Sequence, residues 1–142
     1  MKTYRKSPSH IEDNHQEMLF TWAKYAKVAL PNGEAIKLSD ALYAIPNGGK
    51  RDKREAVRLK RQGVKAGVSD THLPIASNGF HGLWIELKRP IVKGESKPTV
   101  QSSQISWIVT VETLGHKGVI AYGYEQAKKA IIDYLGSMLI TK

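Results

Sequence analysis

The stretch Leu83-Trp84-Ile85-Glu86-Leu87-Lys88 indicates the fold more clearly than any other part of the sequence. Its apolar and aromatic residues are typical of a β-strand. Because side chains alternate along a strand, Glu86 and Lys88 point to one face, and Ile85 and Leu87 point to the other. A carboxylate and an ammonium group inside an apolar strand are costly to desolvate unless they serve each other or a ligand. The stretch therefore predicts a core strand with a site on one face.

The elements on either side of this strand predict one mixed α/β domain over residues 1–142, with a loose arm over residues 1–9. Apolar residues at helical spacing predict a helix over Met18–Leu30, which Pro31-Asn32-Gly33 ends. The remaining predicted elements are a strand over Leu42–Ile45, a helix over Lys50–Gln62, a strand over Val68–Ala76, a loop over Arg89–Pro98, a helix over Val100–Leu114, a strand over Val119–Tyr122 and a last helix through Ala127, Ile131, Tyr134 and Met138. The predicted sheet is small and mixed and is flanked by helices.

The composition excludes several classes of protein. With 41% apolar and 25% charged residues, the chain resembles an ordinary globular domain rather than a disordered one. It contains no cysteine, which excludes a disulfide scaffold, a cysteine-ligated zinc site and a thiol nucleophile. Apolar runs such as Trp107–Val111 are too short to span a bilayer, and the start of the chain does not resemble a signal peptide. We therefore expect an intracellular, cytoplasmic protein without a membrane partner.

Positive charge is concentrated in one segment. The chain has 22 basic and 13 acidic residues, and a net charge of +9. The segment from Asn47 to Lys65 contains eight basic and two acidic residues, a net charge of +6. The eight basic residues are Lys50, Arg51, Lys53, Arg54, Arg58, Lys60, Arg61 and Lys65. Such a cluster favours a nucleic-acid partner over a merely solvated helix face.

A second carboxylate, Asp70, lies early in the neighbouring predicted strand and can reach the same face as Glu86 and Lys88. Two carboxylates suit a hard divalent cation such as Mg²⁺, which also binds water and phosphate oxygens. A structural salt bridge between Glu86 and Lys88 is the alternative, and Asp70 together with the basic segment favours a site. The second Glu-x-Lys, Glu95-Ser96-Lys97, lies in a loop without a strand pattern and is interpreted as a coincidence.

Other site motifs are absent from the sequence. No GxGxxG follows a strand, and Gly48-Gly49-Lys50 lacks the spacing of a phosphate-binding P-loop. The histidines show no metal-ligand spacing, so we expect surface or hydrogen-bonded roles for His10, His15, His72, His81 and His116. The tryptophans lie in apolar patterns, so we expect core packing rather than base stacking for Trp22, Trp84 and Trp107.

Several stretches together resemble the VRR-NUC nuclease family, a branch of the PD-(D/E)xK superfamily that is common as a stand-alone domain in phages. They are Asn47-Gly48-Gly49, Gly63 to Asp70, His81 to Pro90, and Gln104 followed by Trp107-Ile108, with Glu12, His15-Gln16, Leu19-Phe20 and Trp22 near the start. The resemblance runs from about Glu12 to Leu135 and implies a restriction-endonuclease-like core. One departure is His72, at a position where the family usually has an apolar residue.

The resemblance also implies roles for individual residues. Asp70 and Glu86 match the metal-binding acids, Lys88 matches the motif lysine, and the backbone carbonyl of Leu87 is a further implied metal ligand. Glu12 matches an acid on the first helix that completes the site, although Asp13 and Glu17 compete with it. Gln16, one helical turn after Glu12, is a candidate to support that acid. Gln104 matches a glutamine that contacts the attacking water or a phosphate.

The implied activity is Mg²⁺- or Mn²⁺-dependent endonucleolytic cleavage of DNA. Stand-alone members of the family resemble Holliday junction resolvases and act as homodimers, which implies a branched DNA substrate, and the host cytoplasm as the location if the chain is phage-encoded. Because the chain contains no recognisable base-reading module, selectivity is expected to come from DNA shape. The alternatives are a basic nucleic-acid-binding domain without cleavage activity and, less favoured, a hydrolase acting on small nucleotides, which does not need an extended positive surface.

Overall fold

The computed structural model describes residues 8–46 and 52–141, so the predicted arm (apart from residues 8 and 9), Lys50 and Arg51 lie outside the described residues. The helices are α1 (Pro8–Ala23), α2 (Lys53–Arg61), α3 (Ser102–Thr113) and α4 (Tyr124–Leu135). The strands are β1 (Lys27–Ala29), β2 (Ala35–Lys37), β3 (Tyr43–Ala44), β4 (Thr71–Leu73), β5 (Leu83–Lys88), β6 (Lys117–Tyr122) and β7 (Leu139–Thr141). Single turns of 3₁₀ helix cover Leu38–Asp40 and Gly136–Met138.

The main sheet has four strands in the order β3-β4-β5-β6. β4 pairs with β3 and β5 in antiparallel fashion, whereas β5 and β6 are parallel. The parallel pair is possible because α3 lies in the connection between β5 and β6, as parallel neighbours require a long crossover. The prediction of a small mixed sheet flanked by helices is confirmed.

The two faces of β5 have different neighbours. Ile85 and Leu87 are buried in an apolar core with Leu19 of α1 and Ile131 of α4. On the opposite face, Trp84 contacts Trp107 of α3, with ring centroids 5.2 Å apart. The alternation predicted for this strand is therefore observed, and Glu86 and Lys88 share the α3 face.

The predicted helix over Met18–Leu30 is wrong in its second half. α1 ends at Ala23, and the chain then forms the hairpin of β1 and β2. Gly33 has a positive φ of 89° and donates a hydrogen bond to the Leu30 carbonyl within the turn. Val28 is buried while Lys27 is exposed, so a two-residue alternation prevails over the helical spacing there. The Asn32-Gly33 pair is a hairpin turn signal rather than a helix stop.

A second sheet, which was not predicted, has three strands in the order β2-β1-β7. β7 follows α4 and pairs with β1 in antiparallel fashion, which joins the end of the described chain to the hairpin after α1. Its three residues are too few for a pattern to be visible without the partner strand. None of the helices in residues 8–46 and 52–141 has the length and apolar content that a bilayer crossing needs.

Candidate functional site

Strand register brings Asp70 to Glu86. β4 pairs with β5 through Thr71 opposite Ile85, and Asp70 precedes Thr71 as Glu86 follows Ile85. Asp70 Oδ2 accepts a hydrogen bond of 2.7 Å from the backbone N–H of Leu87, which fixes the carboxylate against β5. Lys88 Nζ lies 3.6 Å from Glu86 Oε1 on the same face. Two carboxylates and one ammonium group, predicted as a site, are therefore brought together.

Gln104 of α3 connects the two charged residues of β5. Its Nε2 donates a hydrogen bond of 2.7 Å to Glu86 Oε1, and its Oε1 accepts one of 2.9 Å from Lys88 Nζ. The same Oε1 also accepts a hydrogen bond from the backbone N–H of Gln101 at the start of α3. With donors on its oxygen and an acceptor at its nitrogen, the amide has one favourable orientation, and the helix thereby fixes both charged side chains.

Burial makes the charged residues of β5 unusual, whereas Asp70 is half-buried. Glu86 exposes only 3% of its surface and Lys88 8%. Loss of solvent, and then the neighbouring charge of Asp70, raise the pKa of Glu86 to about 8, while Lys88 acts in the opposite direction. Burial is also the main cause that raises the pKa of Asp70, opposed by the hydrogen bond from Leu87 and assisted by the charge of Glu12. These two carboxylates therefore hold a proton more strongly than ordinary carboxylates do, which is typical of functional sites.

The first helix contributes Glu12 to the site. Glu12 is half-buried, lines the same cleft as Asp70 and Glu86, and accepts a long hydrogen bond of 3.4 Å from the backbone N–H of Arg89. Asp13 and Glu17 are exposed and line a separate groove, and Gln16 lies in that groove too. Of the three competing acids, the structure brings Glu12 to the predicted site, and Gln16 does not join it there.

The side chains of the site supply two carboxylates, which are part of the ligand set of a hard divalent cation. Glu86 Oε2 is buried and has no hydrogen-bond partner among the described residues, which leaves a carboxylate oxygen to be satisfied. Within residues 8–46 and 52–141, no three acidic or histidine side chains lie close enough together to hold a metal by themselves. Mg²⁺ commonly uses one or two carboxylates and completes its shell with water and phosphate oxygens, so the pair of Asp70 and Glu86 fits it.

The acidic group lies at one wall of an open cleft of about 910 Å³. The opposite wall comes from α2 and the segment after it, and includes Leu59, Lys60 and Lys65. The predicted basic surface is thus divided, because Lys53, Arg54, Arg58 and Arg61 line a groove on another side of α2. All six of these basic side chains are exposed. Phosphates in the cleft would meet Lys60 and Lys65 first.

Gly67 anchors the segment between α2 and the site. It has a φ of 85°, and a Cβ built on it would lie 2.3 Å from the backbone oxygen of Ser103 in α3. Only glycine allows this close approach. The sequence did not predict Gly67 as an anchor or Gln101 as a cleft residue. Gln101 and Gln104 lie three residues apart at the start of a helix, and this spacing was the signal for Gln101.

Rings from β3, β4, β5 and α3 form an aromatic cluster around Trp84, which lies two residues before Glu86 on β5. His72 stacks on Trp84 with a centroid distance of 3.9 Å, and its Nδ1 is hydrogen-bonded to the Tyr43 hydroxyl at 2.7 Å. Burial, and then His116, lower the pKa of His72. His81 and His116 are also in ring contact, 5.8 Å apart. The unusual His72 is therefore accommodated by stacking, and it does not contact the acidic pair through any described hydrogen bond.

A solved structure described as a VRR_NUC domain protein superposes on this chain with a TM-score of 0.72 and 29% sequence identity, over 92% of this chain and 90% of that chain. The chain is therefore similar to that protein over nearly its whole length. No family model and no curated protein matches the chain. The VRR-NUC resemblance inferred from the sequence is confirmed, and so is the restriction-endonuclease-like fold.

Proposed function

We propose that this VRR-NUC-like domain is a divalent-metal-dependent DNA endonuclease that cleaves branched DNA in the manner of a Holliday junction resolvase. The observation that carries the proposal is the convergence of Asp70, Glu86, Lys88 and Gln104 in one cleft whose opposite wall carries basic residues. Acids that can hold a cation, an ammonium group and phosphate-binding side chains are the parts that hydrolysis of a phosphodiester requires.

Asp70 and Glu86 would hold Mg²⁺ or Mn²⁺, with Glu12 at the rim and the Leu87 carbonyl as further oxygen donors. When bound, the cation would increase the acidity of a coordinated water and neutralise negative charge on the scissile phosphate. Glu86 would have to give up its proton to hold a cation, because burial and the charge of Asp70 raise the pKa of its carboxyl to about 8.

Lys88 and Gln104 would act on the water and the phosphate. The Lys88 ammonium is fixed by Gln104 Oε1, so its charge stays at one place and can orient the attacking water or stabilise the charge that develops on the phosphate. Gln104 Nε2 keeps Glu86 Oε1 in place on the other side. Lys60 and Lys65, across the cleft, would bind neighbouring phosphates of the same strand.

The experiment is a cleavage assay of the purified protein on labelled four-way junction, flap, splayed, linear duplex and single-stranded DNAs. We expect cleavage of branched DNA in Mg²⁺ or Mn²⁺ and none in EDTA. Asp70→Asn, Glu86→Gln and Lys88→Ala should each abolish cleavage while gel-shift binding stays nearly intact. Cleavage by any of these variants at the wild-type rate would overturn the site assignment.

The second candidate is a basic binding module without cleavage activity, which the exposed basic residues of α2 favour. Such a module would shift every DNA on a gel, with affinity falling steeply as salt increases, and would leave all substrates intact with either metal. The same assay therefore separates the two functions.

Resolution of a junction needs two cuts, and we propose a homodimer in which each subunit cuts one strand. Sedimentation equilibrium should then give twice the chain mass at working concentrations. Mixing wild-type protein with an excess of Asp70→Asn should yield single nicks instead of paired cuts. A monomer that makes both cuts would contradict the dimer but not the nuclease.

A further inference from the structure

The helix α2 has one strongly basic face, and its residues line two different spaces. At 100° per residue, Lys53, Arg54, Val57, Arg58 and Arg61 fall within one face of the helix, and these are the residues that line the outer groove. Ala56 and Leu59 lie on the other side of the helix and line the cleft, together with Lys60, which lies at the border between the two sides next to Lys53.

The outer face is not used by the fold. α2 has no buried residue, and its N-terminus is capped by Asp52, whose side chain accepts a hydrogen bond of 2.8 Å from the Glu55 N–H. None of the four basic side chains of the outer face forms an ion pair with a residue that the structure describes. Val57, in their midst, exposes 52% of its surface. The stability of the helix alone does not explain why four exposed basic side chains surround one exposed apolar side chain.

The connection that follows α2 is packed against α3 close to the acidic group. It is pinned at Gly67 against the backbone of Ser103, the residue next to Gln104 in α3. The helix that carries Gln104 therefore also anchors the connection to α2. A strand that reaches Glu86 must pass between the sheet and the inner face of α2, because Glu86 is reached from this cleft.

We propose that α2 lies between two nucleic-acid backbones, with the scissile strand in the cleft and a second strand on the outer face, an inference that rests on the proposed nuclease function. An α-helix with its side chains is about 10–12 Å across, and the major groove of B-DNA is about 12 Å wide. Phosphates on either side of the helix can thus belong to the two strands of a groove or to two separated arms. Both sources present the same chemistry, a second phosphate backbone.

The experiment measures binding with the full chain in Ca²⁺, used as a probe cation, on single-stranded, duplex and splayed DNAs of equal length. The outer-face variant is Arg54→Ala/Arg58→Ala, and both side chains are exposed, so the fold should be retained. The control is Lys24→Ala/Lys27→Ala, which removes the same charge from exposed positions beyond the far end of α1. The inner-face comparison is Lys60→Ala/Lys65→Ala.

The outer-face variant should weaken binding to duplex or splayed DNA on the order of tenfold, with a smaller loss on single strands. Its slope of log affinity against log salt should decrease by about 1.8 on the two-stranded DNA, since each phosphate contact contributes about 0.9. The inner-face variant should weaken binding to all three DNAs. A larger loss on duplex would indicate a groove, and a larger loss on splayed DNA would indicate separated arms.

Equal losses on single-stranded and two-stranded DNA, or no loss beyond that of the Lys24/Lys27 control, would overturn the second-strand surface. The proposed nuclease function would survive that outcome as long as the wild-type protein cleaves DNA in Mg²⁺ or Mn²⁺. A wild-type protein that binds none of the three DNAs would overturn both proposals. Failure of the inference and failure of the function are therefore distinguishable.

Discussion

Gln104 Nε2 donates a hydrogen bond of 2.7 Å to Glu86 Oε1, so that a residue of α3 holds a carboxylate of β5 in place. The bond matters because Glu86 is 3% exposed and has few other polar neighbours to satisfy it. Because the amide also accepts a hydrogen bond from Lys88, it fixes the separation between the Glu86 carboxyl and the Lys88 ammonium group. The geometry of the site thus depends on the packing of α3 against the sheet.

Replacement of Gln104 by alanine should lower cleavage at least tenfold, because Lys88 and Glu86 both lose a hydrogen bond in a buried setting. The expected loss of folding stability is about 1–3 kcal/mol, the cost of leaving buried polar groups unsatisfied. Single-turnover cleavage and urea unfolding measure the two effects. The control is Ser106→Ala, an exposed position two residues further along α3. Wild-type cleavage by Gln104→Ala would contradict the bridging role.

The metal-free wild-type protein should become less stable as pH increases, and Glu86→Gln should remove the part of this decline that comes from Glu86. The pKa of Glu86 is raised from 4.5 to about 8, so between these values the folded protein retains a proton that the unfolded chain has released. Stability from this group is full below about pH 4.5 and declines up to about pH 8. Each unit of pKa difference corresponds to about 1.4 kcal/mol, so an effect on the order of kcal/mol is expected.

Urea unfolding in EDTA at pH 5, 6.5 and 8 measures this effect. The wild-type protein should lose stability across the series, and Glu86→Gln should lose less and be the more stable of the two at pH 8. Glu17→Gln, an exposed carboxylate of α1, serves as the control and should follow the wild type. If the stability of Glu86→Gln fell with pH as steeply as that of the wild type, the buried carboxyl of Glu86 would not be the source of the decline.

Divalent cations should stabilise the folded protein, more strongly at pH 8 than at pH 6, because binding competes with protons on Asp70 and Glu86. At a free metal concentration near 100 times the dissociation constant, the gain is about 2.7 kcal/mol. Thermal unfolding with Mn²⁺ measures the gain without reference to cleavage. Asp70→Asn should abolish the shift in melting temperature.

The same thermal assay separates the three acids of α1. Glu12→Gln should reduce the Mn²⁺-induced shift, because Glu12 lines the cleft with Asp70. Asp13→Asn and Glu17→Gln should retain it, since both residues line a different groove. If the Mn²⁺-induced shift depended on Asp13 or Glu17 instead, that residue would be assigned as the metal ligand of α1.

Gly67→Ala should destabilise the protein by more than the cost of a left-handed backbone, which is about 1–2 kcal/mol for a residue with a Cβ. The added Cβ would lie 2.3 Å from the Ser103 backbone oxygen, so the segment that carries α2 must shift. Gly63→Ala is a matched control, because its φ is 95° and nothing lies within 4 Å of its Cβ position. Thermal unfolding compares the two, and equal losses would argue against the anchor at Gly67.

Much of the fold could be predicted because several elements carry their own pattern. The alternation in Leu83–Lys88 predicts a strand through short-range spacing alone, and the length of Val100–Leu114, which is too long for one ordinary strand, predicts the helix α3. The helix over Met18–Leu30 failed because Ala26 and Leu30 fit a helical stripe with Trp22 but also alternate as in a strand with Val28. The pairing of β1 with β2 and β7, which lies outside the local window, decided between them.

The sequence by itself determined which residue types were available: two acids and a lysine in strand contexts, a glutamine at a helix start, and a basic segment without cysteine or histidine ligands. Only the tertiary structure decided their distances. Strand register brought Asp70 to the Leu87 N–H, and the packing of α3 brought Gln104 between Glu86 and Lys88. The tertiary structure also decided which residues of α2 line the cleft and which line the outer groove. The charge of a side chain follows from the sequence, whereas its neighbours follow from long-range packing.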